Sequence, residues 1–171
     1  YFDNLEIPAS NILGNPDKGF KNFLRTLTGG RITISALALG ISQAAYKIAL
    51  NYSHERQAFG KKINKFQSIS FKLADMATQI EATKHLVYHA AWLKDNNFPF
   101  IKEAAMAKLF SSETAMYVTT EAIQIYGGYG YIKEYNVERY FRDAKILEIG
   151  EGTSEIQRII ISREILNNIN I

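Results

Sequence analysis

Phe20, Phe23, Leu24 and Leu27 recur at steps of three and four, predicting a helix over about 17–28 that breaks at Gly29-Gly30. A longer helix is expected over about 31–55, ending before "RQAFGKKINKF", where Gly60 and mixed charges mark a loop. The cleanest amphipathic stripe follows: Ile69, Leu73, Met76, Ile80, Thr83, Val87 and Ala90 step by four and three along one face. After "KDNNFPF" another helix is predicted from Pro99 through Ala104, Lys108, Ala115 and Ala122 to Tyr126, where "GGYGYI" stops it. A shorter helix over about 136–143 and a last one after Thr153, carrying Ile156, Ile159, Ile160 and Ile165, complete the pattern. Only the opening differs. Phe2, Leu5 and Ile7 alternate with polar neighbours before Pro8 and Gly14, predicting a short extended segment with no partner strand in the rest of the chain.

Three long helices and a fourth from the chain's ends predict an all-α fold, an up-and-down four-helix bundle over 15–171, with residues 1–14 expected to belong to a sheet upstream of Tyr1. A length of 171 residues with 47% hydrophobic and 22% charged positions suits one soluble domain with a sizeable core, and three prolines suit helices. The net charge of +3 is scattered among acids, so no nucleic-acid partner is expected. Cysteine is absent, excluding disulfides, thiolate metal sites and a cysteine nucleophile. The most apolar stretch, 32–50, is interrupted by Thr33, Ser35, Ser42, Gln43 and Lys47 and reads as a buried bundle helix, not a membrane span. Gly40 and Ala44, four apart, are expected to let another backbone approach closely.

Three motifs invite chemical readings. Gly128-Tyr129-Gly130 lacks the third glycine of a dinucleotide fingerprint and follows a helix, so it reads as a helix stop where a ligand could also approach the backbone. His85 and His89 have the spacing of two metal ligands on one helix but no evident third, leaving no metal site expected. In "TSEIQR", Ser154 and Gln157 are spaced as a capping box, with Glu155 at the positive end of the last helix. Glu151, between two glycines and ahead of that cap, is left without a structural explanation; its default reading is a solvated loop carboxylate.

Taken in order, "RQAFG", "FQSISFKLADM", "EAAMAKLFSSETA", "AIQIYGGYGYIKEYNVERYFRDAKI" and "IGEGTSEIQR" resemble the C-terminal helical domain of the acyl-CoA dehydrogenases across essentially the whole chain. That resemblance implies a flavoenzyme subunit in which FAD lies between this bundle, a β-domain and a neighbouring subunit. Its implied base is the Glu of an E-G-T triplet, matched by Glu151-Gly152-Thr153. Some branches place the base just before the residue matching Arg31, where this chain has Gly30. By the same resemblance Arg56 and Gln67 would reach the FAD of the partner subunit, with Phe59 packing nearby. Gln124, Gly127 and Gly128 would line the cofactor, and Thr153 and Glu155 would contact it at the start of the last helix. Arg31 and Gly152 would lie beside the acyl-CoA substrate. The chain departs from many relatives in having Thr28 where they carry Asp and Gly150 where they carry Tyr.

The implied reaction is α,β-dehydrogenation of an acyl-CoA thioester, with Glu151 taking the α-proton. An electron-transfer flavoprotein would accept the electrons, and the oligomer would be a dimer or tetramer. The implied location is cytoplasmic for a bacterial protein and the mitochondrial matrix for a eukaryotic one. Two alternatives stand beside this reading: an acyl-CoA oxidase or other flavoenzyme on the same scaffold, and a non-catalytic helical interaction module. Retention of Glu151, Arg56 and Gln67 argues against the latter.

Overall fold

The computed structural model describes residues 1–167; positions 168–171 of the expected bundle lie outside them. Five α-helices make up the described chain: α1 (Gly19–Glu55), α2 (Gln67–Asp95), α3 (Ile101–Tyr126), α4 (Val137–Lys145) and α5 (Ser154–Asn167). A two-residue antiparallel hairpin, β1 (Gln57–Ala58) and β2 (Lys61–Lys62), joins α1 to α2.

Helix directions follow from contacts at their ends. The Tyr126 hydroxyl, closing α3, donates to the Ile48 carbonyl near the end of α1 at 3.3 Å, so α1 and α3 run the same way. Lys72, early in α2, pairs with Glu121, late in α3, so α2 runs against both. α4 then returns beside α3. Val137 joins the cluster containing Ala122 and Ile125, whereas Ala144 and Leu147 pack with Ala38 and Ala115 further along. The C-terminal region therefore supplies the fourth column through α4, and α5 lies against α3, with Arg158 paired to Glu113.

The largest helix–helix contact is between α1 and α3, and it is built from small side chains. Ala38, Ser42, Ala45 and Ala49 on α1, and Ala104, Ala107, Ser111, Ala115 and Ala122 on α3, are all buried. Small residues bring the axes close, and the serines are satisfied within their own helices: Ser35 donates to the Arg31 carbonyl at 2.7 Å and Ser42 to that of Ala38 at 2.8 Å. The stripe read on α2 is the buried one: Leu73, Met76, Ile80, Thr83, Val87 and Ala90 face the core.

Four local expectations change. The break at Gly29-Gly30 does not occur, because α1 runs unbroken through both; each glycine weakens a helix by only about 1 kcal/mol, and the buried face that starts at Arg31 and Ile32 anchors the helix beyond them. Gly40 faces open space, and the close approach is made by the Ala/Ser face turned to α3. α3 begins at Ile101, two residues after Pro99, with Phe100 at a non-helical φ of −140° as its cap. Residues 1–14, expected as an extended segment without a partner strand in this chain, pair with no strand among the described residues but leave extended backbone in a 3-10 turn at Ala9–Asn11. By length and composition alone α1 could cross a membrane, yet its Ala/Ser face is buried against α3.

Met76 is fully buried where α2 meets the core. The 171-residue chain is expected to fold alone as a helical bundle, and Met76→Ala to lower its stability by about 2–5 kcal/mol in denaturant titration followed by circular dichroism.

Candidate functional site

α4 ends in a 3-10 turn at Ile146–Glu148, and the Gly150 N–H closes back on the Ile146 carbonyl at 2.8 Å. The next two residues take left-handed backbone, Glu151 at φ +56° and Gly152 at φ +93°. For glycine this costs nothing; for glutamate it is uncommon and is retained where surrounding contacts impose it. Those contacts come from two helices. Gln157 of α5 donates its side-chain amide to the carbonyls of Glu151 (3.3 Å) and Gly152 (2.8 Å), and Lys108 of α3 donates to Gly152 at 2.7 Å. Lys108 and Gln157 are both fully buried.

The capping box read from the sequence is replaced by a different cap. Thr153 precedes α5, and its hydroxyl oxygen accepts from the Ile156 N–H at 3.4 Å, while the Ser154 hydroxyl is buried without a partner among the described residues. Gln157 is thereby freed to hold the loop. Glu155, exposed in the first turn, has its carboxyl held below the usual range by its own N–H and by the Thr153 hydroxyl.

The Glu151 side chain is half-buried and points at α1. A Cβ at Gly30 would lie 2.5 Å from its Oε2, so only glycine leaves that carboxylate its present place. No hydrogen bond reaches the carboxylate from a described residue. It is not electrically isolated, however. Burial pulls the Arg31 guanidinium down from its ordinary range and Glu151 opposes this; burial likewise lowers the Lys108 ammonium, opposed first by Glu148. Arg31 reaches Thr28 Oγ1 at 3.5 Å, and its buried Nε has no partner among the described residues. Unpartnered atoms on Arg31, Ser154 and Gln157 thus gather around one loop, a costly arrangement outside a site that something else completes. Beside Gly30 opens a cleft of about 1110 Å³, walled by Thr28, Gly29, Phe98 and Phe100 with Arg25 and Lys94 on its edge.

A second cleft, of about 760 Å³, lies where α1 and α3 end. Arg56, Phe59, Gly127 and Gly128 all line it. Phe59 sits at the hairpin tip with φ +49°, followed by Gly60 at +79°, a pairing that suits a tight two-residue hairpin. Phe59 is 95% exposed, so the strained backbone presents an aromatic side chain outward. Arg56 lies over the Tyr129 ring at 5.5 Å, and Tyr52 stacks on Tyr126 with centroids 4.0 Å apart. Gly127, at φ +60°, ends α3 and has open space where a Cβ would stand.

The expected site residues fall into two groups within this chain. Arg56 is about seven turns along α1 from Gly30, a rise of roughly 39 Å. Glu151, Gly152, Arg31, Thr153 and Glu155 gather at one place, whereas Arg56, Phe59, Gly127 and Gly128 line the other. Gln67 begins α2 and Gln124 lies in the last turn of α3; both are exposed and outside the lining of the second cleft. In the sequence Lys108 is only one more position in a helical stripe. A lysine among Ala104, Ala115 and Ala122 was the available signal, since an ammonium on a core face needs a buried acceptor. Tyr52 and Tyr129 carried no signal, because their role arises from two distant helix ends meeting.

A family model described as acyl-CoA dehydrogenase, C-terminal domain, matches residues 17–166. The chain belongs to that family. It is 60% identical over 164 residues to a probable acyl-CoA dehydrogenase, YngJ, of Bacillus subtilis, covering 96% of this chain and 43% of the relative. It is 53% identical over 167 residues to the human mitochondrial short-chain specific acyl-CoA dehydrogenase, covering 98% and 40%. The solved butyryl-CoA dehydrogenase of Megasphaera elsdenii superposes with a TM-score of 0.94 at 54% identity, covering 96% of this chain and 43% of that one. The chain thus spans less than half the length of these relatives.

A side chain at Gly152 is opposed twice, since its φ is left-handed and a Cβ would meet Gln157 Nε2 at 2.9 Å. Gly152→Ala is expected to lower stability by about 1–3 kcal/mol, read as a fall in thermal midpoint.

Proposed function

We propose that this chain is the C-terminal part of an FAD-dependent enzyme that desaturates acyl-CoA thioesters between the α and β carbons, and that Glu151 is its base. The observation that carries the reading is the Glu151 carboxylate itself, turned out of a left-handed loop, free of hydrogen bonds from described residues and set against a helix that is glycine at the facing position. A carboxylate engaged by a strong donor would be a weaker base.

The second cleft fits part of FAD. Its stacked tyrosines and outward Phe59 offer flat apolar faces, Arg56 offers a charge-assisted donor for phosphate oxygens, and open Gly127 and Gly128 allow close backbone approach. FAD, when bound, supplies the acceptor that takes the β-hydrogen as hydride. What this chain's residues do is separate from that: Glu151 accepts the α-proton at its carboxylate, Gly30 keeps space for it, and Arg31 contributes positive charge beside it. The cleft next to Gly30, with Arg25 and Lys94 at its edge, suits a thioester bearing the phosphates of CoA.

The distance between the two groups supports a homo-oligomer, because Arg56 and Phe59 of one copy would complete the cofactor site of another. Residues 1–14 are the end of a preceding β-domain in this reading. An electron-transfer flavoprotein is the proposed acceptor. The location is the cytoplasm for a bacterial protein and the mitochondrial matrix for a eukaryotic one.

The test is Glu151→Gln in the complete enzyme, which keeps side-chain shape and removes the base. Binding of butyryl-CoA should survive, while flavin reduction measured by rapid mixing should fall roughly 100- to 10,000-fold. Adding Gly30→Glu to that variant should restore part of the rate, because a side chain at 30 enters the space that the Glu151 carboxylate occupies. A Glu151→Gln enzyme that reduced its flavin at the wild-type rate would leave Glu151 an ordinary loop carboxylate. Separately, Arg56→Ala should weaken FAD retention by roughly 10-fold, measured as bound flavin per subunit after dialysis.

A further inference from the structure

We propose that Lys108 and Gln157 are positioning residues that together hold the loop of Glu151 in its left-handed form and so set where the base stands. The inference rests on the proposed role of Glu151.

The two side chains reach the loop from different helices. Lys108 approaches from α3 and Gln157 from α5, and both donate to the Gly152 carbonyl, with Gln157 also donating to that of Glu151. With these two successive carbonyls held toward the bundle, the Glu151 side chain is turned the other way, toward Gly30 on α1. The local backbone preference of glutamate opposes φ +56°, so the conformation depends on donors outside the loop. Gly152 accommodates both donors because it has no side chain to meet Gln157.

Stability alone does not account for a lysine at 108. A fully buried ammonium is costly, and an apolar side chain of similar length would fill the same space without that cost. The charged groups that interact with it are Glu148 and Glu151 in the loop region, Glu155 on α5 and Arg31 on α1. None of these is within ion-pairing distance of Lys108, whose recorded bond is to a backbone carbonyl. The lysine is spent on the shape of the loop.

The experiment uses the complete FAD-loaded enzyme with 3-thiabutyryl-CoA, a thioester whose β-position is sulfur and carries no hydrogen. Exchange of its α-hydrogens with D2O, followed by NMR, reports the base without any flavin reduction. Lys108→Met and Gln157→Leu should each slow exchange by roughly 10- to 100-fold, as expected for a base displaced by about 1 Å, with ligand affinity changed by less than about threefold and thermal midpoint not lowered for Lys108→Met. Introduced into Glu151→Gln, Lys108→Met should slow the residual exchange no further, because it acts through the residue already removed. Equal slowing in both backgrounds, or wild-type exchange in both single variants, overturns the proposal. If Lys108→Met does not fold, Gln157→Leu alone and in the Glu151→Gln background decides by the same criteria. Wild-type exchange in Glu151→Gln would overturn the assignment of the base itself. Loss of exchange there, with both clamp variants unaffected, overturns only the clamp.

Discussion

The close seam between α1 and α3 is the constraint on which both sites depend. Alanine and serine on facing helices let the backbones approach, and an interface of small, closely packed groups resists sliding or rotation because nothing along it can re-pack cheaply. Each end of the seam then carries a candidate site. At one end Gly30 and Arg31 of α1 stand near Lys108 of α3, with the Glu151 loop between them. At the other, Tyr52 and Tyr126 stack where the two helices finish, and Arg56 and Gly127 turn the chain away in different directions.

The seam also explains the distribution of polar groups inside the bundle. Ser35, Ser42, Ser111 and Thr119 are buried but return their hydroxyls to carbonyls of their own helices, so they fill narrow space without asking for partners across it. Lys108 breaks that rule. It is a large buried polar side chain on the same face, and it reaches beyond its helix to a loop carbonyl. Polar groups satisfied locally support packing; the one satisfied at a distance fixes a piece of backbone that packing does not reach.

Backbone strain is confined in a similar way. Of the four non-glycine residues at positive φ among the described residues, Glu151 and Phe59 are the two proposed to face a ligand, and each is followed by a glycine that is also at positive φ. The glycine takes the more demanding half of the turn, while the preceding residue presents its side chain outward. Tight turns of this form hold a side chain in place more firmly than a long loop, because few backbone torsions remain free.

Helix periodicity fixed much of this protein in advance, because the stripe from Ile69 to Ala90 is a local property: any helix with that spacing buries the same face. The E-G-T triplet and the ordered motifs likewise singled out Glu151, Arg56 and the glycines, through the family resemblance, as the residues proposed for the site. What the sequence could not decide was anything that depends on a distant partner. Gly29-Gly30 reads as a break, since nothing nearby reveals that a carboxylate from position 151 comes within 2.5 Å of where a Gly30 Cβ would stand. Ser154 and Gln157 read as a capping box, since local spacing does not show that Thr153 takes the cap and Gln157 turns back to the Glu151 loop. Lys108 reads as one more helical position until α5 and the loop are packed against it. Local torsional preference and side-chain periodicity act within a few residues and are written in the chain; the competition among packing, burial and hydrogen bonding that overrides them exists only once the helices meet.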